Sequence, residues 1–355
     1  MIAFTTIVLL FSKKYENQAY FKLDLRCTEE LKGIAIILVI FGHISADKII
    51  HAKDLLYVGS QGVTLFLLLS GFGLTKSYIK NGIDRKTVIR RFKRILIPYS
   101  MVTSLWIILD IFVYHKNYSM QTIILAIAGF DFYRKIDASM WYISFILLWY
   151  IFFFIIFLLP IKKIFKIMML VFVAYLFRCH PISKYTHEVS YQWGLNAISF
   201  PVGAFLGMYM EDIAKKFNKK YVNYIYAFVG IMSLVTYVYL FKDRELNINK
   251  FTITNVAFAI MLIVLVGFIN MKGYRSKLLG FIGFYSYELY LLEAALMWKY
   301  RIIRNLQTTS TWLFLIVYFI ALFILSYILN KLITFIMETK FLNNKKNITD
   351  NTYKA

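Results

Sequence analysis

Apolar residues fill long stretches of the chain, and short segments rich in lysine and arginine separate these stretches. Most stretches approach the roughly 20 residues that a helix needs to cross a bilayer core of about 30 Å. They do not alternate apolar and polar residues as barrel strands do, so we expect helices whose backbone groups bond internally. The pattern predicts about ten membrane-spanning helices, at 33–50, 56–79, 95–114, 141–160, 164–178, 193–210, 222–241, 251–270, 278–298 and 312–338.

Lysine and arginine also predict the orientation, because cytoplasmic loops of membrane proteins carry an excess of positive charge. Basic residues cluster before the first apolar stretch, after every second one and in the C-terminal tail, so we expect both termini to be cytoplasmic. The prediction is an all-α integral membrane protein with a cytoplasmic or interfacial segment at 1–32, a polytopic domain at 33–338 and a polar cytoplasmic tail at 339–355. The apolar run 120–131 is too short to span, so we expect it to be interfacial or re-entrant.

The composition supports this assignment and excludes others. Of 355 residues, 60% are hydrophobic and only 17% are charged, far from an ordinary soluble domain. The formal net charge of +22 does not indicate nucleic-acid binding, because the basic residues fall between apolar stretches rather than on one patch. Cys27 and Cys179 lack metal-ligand spacing and lie on opposite sides of the predicted topology, so we expect neither a metal site nor an internal disulfide.

The first apolar stretch, LKGIAIILVIFGHIS, ends in a histidine at membrane depth. His43 lies about 16 Å along a helix from Lys32, past the predicted midplane. Asp47 follows one turn later on the same face, where a carboxylate can orient the imidazole and raise its basicity. Ionisable groups at this depth commonly mark a site, which favours a general base. Taken alone, a histidine that bonds to a neighbouring helix is an equally good interpretation.

A basic motif, RRFKRILIPY, follows the second apolar stretch on the predicted cytoplasmic side. Its Arg91 and Arg94 share one helical face, an arrangement that suits a polyphosphate or a nucleotide. Taken alone, a positive-inside signal that contacts lipid headgroups is the better interpretation. The second stretch itself contains Gly62, Gly71 and Gly73, small residues that predict close helix packing.

The motif GFYSYELYLLEAAL places Ser286, Tyr290 and Glu293 on one face of a late helix. A glutamate at membrane depth needs a partner, and His43 is one candidate.

Two other positions carry polar groups near predicted helix ends. The segment DASMWYIS opens the fourth stretch, and its Asp137, Trp141 and Tyr142 are further candidates to contact Glu293. We expect Asp110, late in the third stretch, to be solvated at the outer interface.

Six ordered motifs resemble the acyltransferase-3 superfamily of integral-membrane acyltransferases. They cover residues 24–298 and read KGIAIILVIFGH, QGVTLFLLLSGFGLTKSY, RRFKRILIPY, MWYISFILLWY, FPVGAFLGMYM and GFYSYELYLLE. The resemblance implies a multi-pass protein of the bacterial plasma membrane that transfers an acyl group, commonly acetyl, to cell-surface polysaccharide.

The resemblance assigns roles to individual positions. His43 matches the family histidine that is held to be essential for transfer, and Arg91 and Arg94 match an R-x-x-R pair thought to engage the acyl donor. Lys32 stands where arginine is usual, which keeps the positive charge but loses bidentate recognition. Glu293 replaces the histidine of the family's closing motif.

A further departure concerns the fourth stretch. Trp141 matches a tryptophan-led motif, but Ile146 occupies its glutamate position. These departures are typical of a divergent branch, similar to short members that act on capsule, exopolysaccharide or lipopolysaccharide units.

We therefore expect a membrane-bound O-acyltransferase whose donor is an acyl-CoA, most simply acetyl-CoA. The expected acceptor is a hydroxyl of a cell-surface glycan or of its lipid-linked precursor, and membrane lipids are the other expected partners. No metal or permanently bound cofactor is needed. The alternative is a polysaccharide exporter or flippase without transferase chemistry, which also explains the buried charges. The expected site comprises His43, Asp47 and Glu293 for catalysis, Lys32, Arg91 and Arg94 for the donor, and Trp141, Tyr142, Ser286 and Tyr290 for the acceptor cavity.

Overall fold

The computed structural model of the chain describes residues 12–15, 20–50, 52–131, 135–179, 187–217, 219–243, 247–300 and 310–352. Two three-residue strands, β1 (Ser12–Lys14) and β2 (Tyr274–Ser276), pair antiparallel. All other regular elements are helical. The α-helices are α1 (Leu25–Ala46), α2 (Val58–Asn81), α3 (Arg85–Phe112), α4 (Met120–Ile127), α5 (Trp141–Leu158), α6 (Lys163–Cys179), α7 (His187–Asn196), α8 (Ser199–Lys216), α9 (Lys219–Phe241), α10 (Ile248–Met271), α11 (Lys277–Phe284), α12 (Ser286–Ala294) and α13 (Thr311–Thr352).

The all-α membrane fold is confirmed. Six helices of the described chain are long and apolar enough to cross a bilayer, namely Leu55–Asn81, Arg85–Phe112, Ala138–Leu158, Tyr221–Phe241, Ile248–Met271 and Thr311–Glu338. Two predicted stretches are each divided between two helices: 193–210 falls on α7 and α8, and 278–298 falls on α11 and α12. The number of ten spans and the cytoplasmic termini stay predictions.

The chain forms two compact units. The first unit contains described residues of Met1–Arg91 and Asp131–Ser286, and the second contains those of Phe92–Phe130 and Tyr287–Ala355.

Glycines allow backbone contact at the helix crossings of the first unit. A Cβ atom at Gly62 of α2 would lie 2.5 Å from the Ala35 carbonyl oxygen of α1. A Cβ atom at Gly71 would clash with the Phe200 carbonyl oxygen of α8. Because real Cβ atoms do not approach this closely, the close packing predicted for Gly62 and Gly71 is confirmed. The same prediction is wrong for Gly73, where an added Cβ would meet nothing within 4 Å.

Charged groups join the start of α1 to the turn between α10 and α11. Arg275 donates two hydrogen bonds to the Asp24 carboxylate, at 3.2 and 2.7 Å. Glu30, which is buried, accepts from the Asn270 side chain at 3.0 Å and from the Ser276 backbone N–H at 3.2 Å. These partners compensate the desolvation of the two carboxylates.

Stacked aromatic rings join α5 to α7 and α8. The Trp149 ring stacks on Phe200 with centroids 4.8 Å apart, and the Phe145 ring stacks on Trp193 at 5.5 Å. All four side chains are buried. The aromatic-rich sequence of α5 therefore packs against the other helices of the first unit rather than facing only lipid.

In the second unit, Asp110 is completely buried, so the expectation that it is solvated is wrong. Its carboxylate accepts hydrogen bonds from the hydroxyls of Tyr118 at 2.7 Å and Tyr300 at 3.2 Å. Lys116 lies 3.2 Å and Lys299 3.0 Å from the same carboxylate. These contacts connect the last turn of α3 to Lys299 and Tyr300, which follow α12. The sequence around Asp110 does not reveal these contacts.

We predict that Gly71→Ala destabilises the protein by about 1–3 kcal/mol, because the added methyl group forces α2 away from α8. Gly73→Ala is the matched control, since its methyl group meets open space and alanine favours helix more than glycine does. The measurement is the thermal midpoint for loss of monodisperse protein in detergent. Equal midpoints for the two variants would show that the α2–α8 contact does not limit stability.

We predict that Asp110→Ala destabilises the protein by about 3–5 kcal/mol, because Lys299, whose side chain is 9% exposed, loses the buried carboxylate that compensates its charge. Asp243→Ala is the control, since its ion pair with Lys250 at 2.9 Å is half exposed and such pairs contribute about 0–1 kcal/mol. Thermal midpoints of both variants in the same detergent check this. A midpoint of Asp110→Ala as high as that of the control would contradict the assigned role.

Candidate active site

His43 lies in the last turn of α1, where this helix crosses the first turn of α2. A Cβ atom at Gly42 would come within 2.6 Å of the Gly59 Cα atom, so the two backbones touch at this crossing. The His43 side chain is half-buried. Asp47 is the C-cap of α1, and its backbone N–H donates to the His43 carbonyl oxygen at 2.9 Å. The Asp47 backbone therefore lies one turn beyond His43, and both residues are partly exposed.

Polar side chains occupy the first two turns of α2, which begins at this crossing, and the sequence-based prediction did not include them. The Thr64 hydroxyl donates to the Asn196 side-chain oxygen at 3.0 Å, and the Asn255 amide donates to the Ser60 hydroxyl at 2.9 Å. Gln61 is 1% exposed, and its Oε1 accepts no hydrogen bond within the described chain. The signal in the sequence is the polar pattern of YVGSQGVT at the start of an apolar stretch. We call Ser60, Gln61, Thr64, Asn196 and Asn255 the polar patch.

Lys32 belongs to the opposite end of α1. It is half-buried and precedes Gly33, at which an added Cβ would clash with the Leu279 carbonyl oxygen of α11. The close approach of α11 fixes this part of α1. Lys32 and His43 are about 16 Å apart along one helix, so they do not belong to the same local group of residues.

The predicted donor arginines lie one turn apart on α3, where Arg91 is half-buried and Arg94 is exposed. Asp84 starts this helix: its carboxylate accepts from the Thr87 backbone N–H at 2.8 Å and from the Thr87 hydroxyl at 2.6 Å. These hydrogen bonds lower the pKa of Asp84 below its usual value. A negatively charged capping residue interacts favourably with the positive end of the helix dipole. Asp84 therefore defines where the helix that carries both arginines begins.

Trp141 and Tyr142 open α5, and the structure places Tyr142 against the middle of α2. The Tyr142 side chain hydrogen bonds with Ser70, and its ring lies 6.5 Å from that of Phe66. The Trp141 carbonyl oxygen accepts from the Trp193 ring N–H at 3.3 Å. Ser70 is about 16 Å along α2 from the crossing beside His43. The structure therefore does not bring Tyr142 next to His43.

The face predicted for Ser286, Tyr290 and Glu293 is buried on α12. Tyr318 of α13 donates its hydroxyl to the Glu293 backbone carbonyl oxygen at 3.2 Å. This hydrogen bond holds the Glu293 end of α12 against α13 within the second unit.

A family sequence model, acyltransferase-3, described as an acyltransferase domain, matches residues 29–331. The chain belongs to the acyltransferase-3 family. Comparison with curated proteins and comparison with solved structures gave no match. The matched range runs from the second turn of α1 to the middle of α13, so the membrane acyltransferase domain extends over both compact units.

Membership confirms the resemblance that the ordered motifs indicated and makes this chain a multi-pass membrane acyltransferase. The matched range includes every expected site residue, from Lys32 to Glu293. Of these residues, His43 is half-buried, has Asp47 one turn further along the chain, and follows Gly42, which touches Gly59 of α2. A general base must lie within hydrogen-bond reach of the proton that it removes, which a partly exposed imidazole allows.

Proposed function

We propose that this acyltransferase moves an acyl group, acetyl in the simplest case, from acyl-CoA to a hydroxyl of a cell-surface glycan or its lipid-linked precursor. The observation that carries the proposal is the half-buried position of His43 at the α1–α2 crossing, where its neighbour Gly42 touches Gly59, the residue before Ser60. A half-buried imidazole there can exchange a proton with an acceptor hydroxyl. The patch supplies hydrogen-bonding groups of the kind that a sugar needs.

In the proposed reaction, His43 removes the proton of the acceptor hydroxyl while the oxygen attacks the thioester carbonyl carbon. A C–O bond forms, the C–S bond breaks, and the proton passes from the imidazolium to the departing thiolate, which leaves as CoA. Asp47, one turn away, positions the imidazole and stabilises its protonated form. In the other version, the imidazole nitrogen first accepts the acyl group and then passes it to the hydroxyl.

The donor is proposed to bind through its phosphates to Arg91 and Arg94. Guanidinium groups one turn apart on a helix can each form paired hydrogen bonds with phosphate oxygens. Lys32, half-buried near the other end of α1 from His43, supplies a further positive charge along the route that the acyl arm would follow. The distance of about 16 Å between Lys32 and His43 along α1 suits an extended acyl-CoA, whose phosphates and thioester carbon are far apart.

The acceptor is proposed to contact the polar patch through Ser60, which is half-buried while the other four members are buried. Trp141 and Tyr142 begin α5, where Tyr142 contacts the middle of α2, and they would offer aromatic faces to a sugar ring or to the lipid part of a precursor. Ser286 and Tyr290 stay predictions for the acceptor cavity, and Glu293 stays a prediction for catalysis; all three are buried on one face of α12.

We predict that His43→Ala lowers acyl-CoA-dependent acylation of surface glycan by about 100- to 10,000-fold, the range typical of losing a general base. Washed membranes with equal amounts of folded protein would be supplied with labelled acetyl-CoA and glycan, and the label in the glycan counted. His115→Ala is the control, because His115 is exposed and lies outside the proposed site.

The amount of exported glycan is measured in cells that carry the same variants. Export that falls to background in His43→Ala cells, together with normal acylation by His43→Ala membranes, would contradict the enzymatic assignment and favour the exporter. Acylation that fails while total glycan stays constant is the expected result.

We predict that replacing both Arg91 and Arg94 by alanine raises the KM for acyl-CoA by about 100-fold or more, because each of the two charged hydrogen-bonding groups contributes about 1.5–3 kcal/mol. The paired change Arg85→Ala with Lys86→Ala removes the same charge from exposed positions of the same helix and serves as the control. An equal change of KM in both double variants would show that the effect comes from a general loss of positive charge, which contradicts a phosphate site at Arg91 and Arg94.

A further inference from the structure

The first unit contains a cavity of about 360 Å³ that plays no part in the proposed transfer. It lies between the segment that leads into α1 and the C-terminal parts of α2 and α8. The charge pattern assigns these helix ends to the cytoplasmic side. The volume falls within the roughly 300–1,000 Å³ of small-molecule sites.

One wall of the cavity is held firmly. The Phe21 side chain is 2% exposed and its ring packs on those of Tyr226 at 4.5 Å and Phe268 at 5.5 Å. The Phe21 backbone N–H donates to the Asn223 side-chain oxygen at 2.9 Å. Anchoring Phe21 in this way fixes the positions of its neighbours Tyr20 and Lys22, which also line the cavity.

The charges that line the cavity do not balance. Lys22, Lys76 and Lys215 face a single carboxylate, that of Glu211. Lys76 forms an ion pair with Glu211, and this hydrogen bond, with the nearby charges of Lys215 and Lys22, lowers the pKa of Glu211 below its usual value. Asp212, the next acidic residue of α8, binds Lys163 at 3.4 Å instead. Three ammonium groups and one carboxylate leave an excess of two positive charges around the cavity.

We propose that this cavity binds a phosphorylated ligand. Lys22, Lys76 and Lys215 would hold the phosphate, since lysine ammonium groups on flexible stems adapt to several phosphate oxygens, and two excess charges match a phosphate monoester dianion. Tyr20 and Phe72 offer aromatic faces to an adjoining base or apolar group. The phosphate belongs either to a soluble nucleotide or to a lipid headgroup, which present the same chemistry to the lysines.

The test uses the full-length protein in phosphatidylcholine nanodiscs, with ADP and inorganic pyrophosphate as probes and calorimetric titration as the measurement. Lys22→Gln and Lys215→Gln should each weaken binding by about 10- to 100-fold, as expected from losing one charged hydrogen bond. Lys216→Gln is the control, because Lys216 is exposed on the same helix but does not line the cavity. Its affinity should match that of the wild type.

A second arm uses nanodiscs that contain phosphatidylglycerol. Weakened ADP binding there, or selective retention of phosphatidylglycerol that Lys22→Gln and Lys215→Gln abolish, would assign the site to the lipid headgroup. ADP binding that is unaffected by phosphatidylglycerol and depends on both lysines would assign it to a soluble ligand. Either result supports the proposal.

Three results would overturn it. They are no binding of any probe or lipid to the wild type, equal binding by the two lysine variants and the control, and loss of ADP binding only when Arg91 and Arg94 are replaced. Phosphate binding in this cavity does not involve His43, so His43→Ala should bind ADP like the wild type. Failure of the reaction at His43 would therefore leave this result unchanged.

Discussion

The architecture of the first unit depends on backbone contact between helices, which only glycine permits. Hydrocarbon gives no hydrophobic driving force between helices, so close packing and hydrogen bonds must hold them together. Gly33 brings α1 to α11, Gly62 brings α2 to α1, and Gly71 brings α2 to α8. The proposed site follows from these contacts. His43 is the neighbour of Gly42, which touches Gly59, and the polar patch begins at the next residue of α2.

Buried polar groups are the second constraint, and partners from distant parts of the chain satisfy them in both units. In the first unit, Thr64 pairs with Asn196, and the buried Glu30 accepts from Asn270. In the second unit, two lysines and two tyrosines surround the buried carboxylate of Asp110. Because its carboxylate is occupied by these hydrogen bonds and ion pairs, we assign Asp110 a structural role. His43 differs because it is only half-buried, so an acceptor hydroxyl could reach its imidazole for a proton transfer.

The sequence predicted the features that depend on local pattern. Apolar length predicted the membrane helices, and the ordered motifs predicted the acyltransferase family, which the match over residues 29–331 confirms. Sequence patterns did not predict the features that depend on tertiary contacts. Asp110 and Tyr300 are separated by 190 residues, so nothing near Asp110 in the sequence announces its burial. Gly71 and Gly73 are equivalent as composition, yet only Gly71 faces another helix. The charge excess around Glu211 likewise depends on lysines from three separate segments.

The central claim is that His43 performs acyl transfer to a hydroxyl beside the α1–α2 crossing. The most direct measurement is transfer of labelled acetyl from acetyl-CoA to glycan by the purified protein in liposomes, comparing wild type with His43→Ala at equal folded amounts. The account predicts ester-linked label on the glycan with the wild type and a loss of at least about 100-fold with His43→Ala. Undiminished labelling by His43→Ala would contradict it.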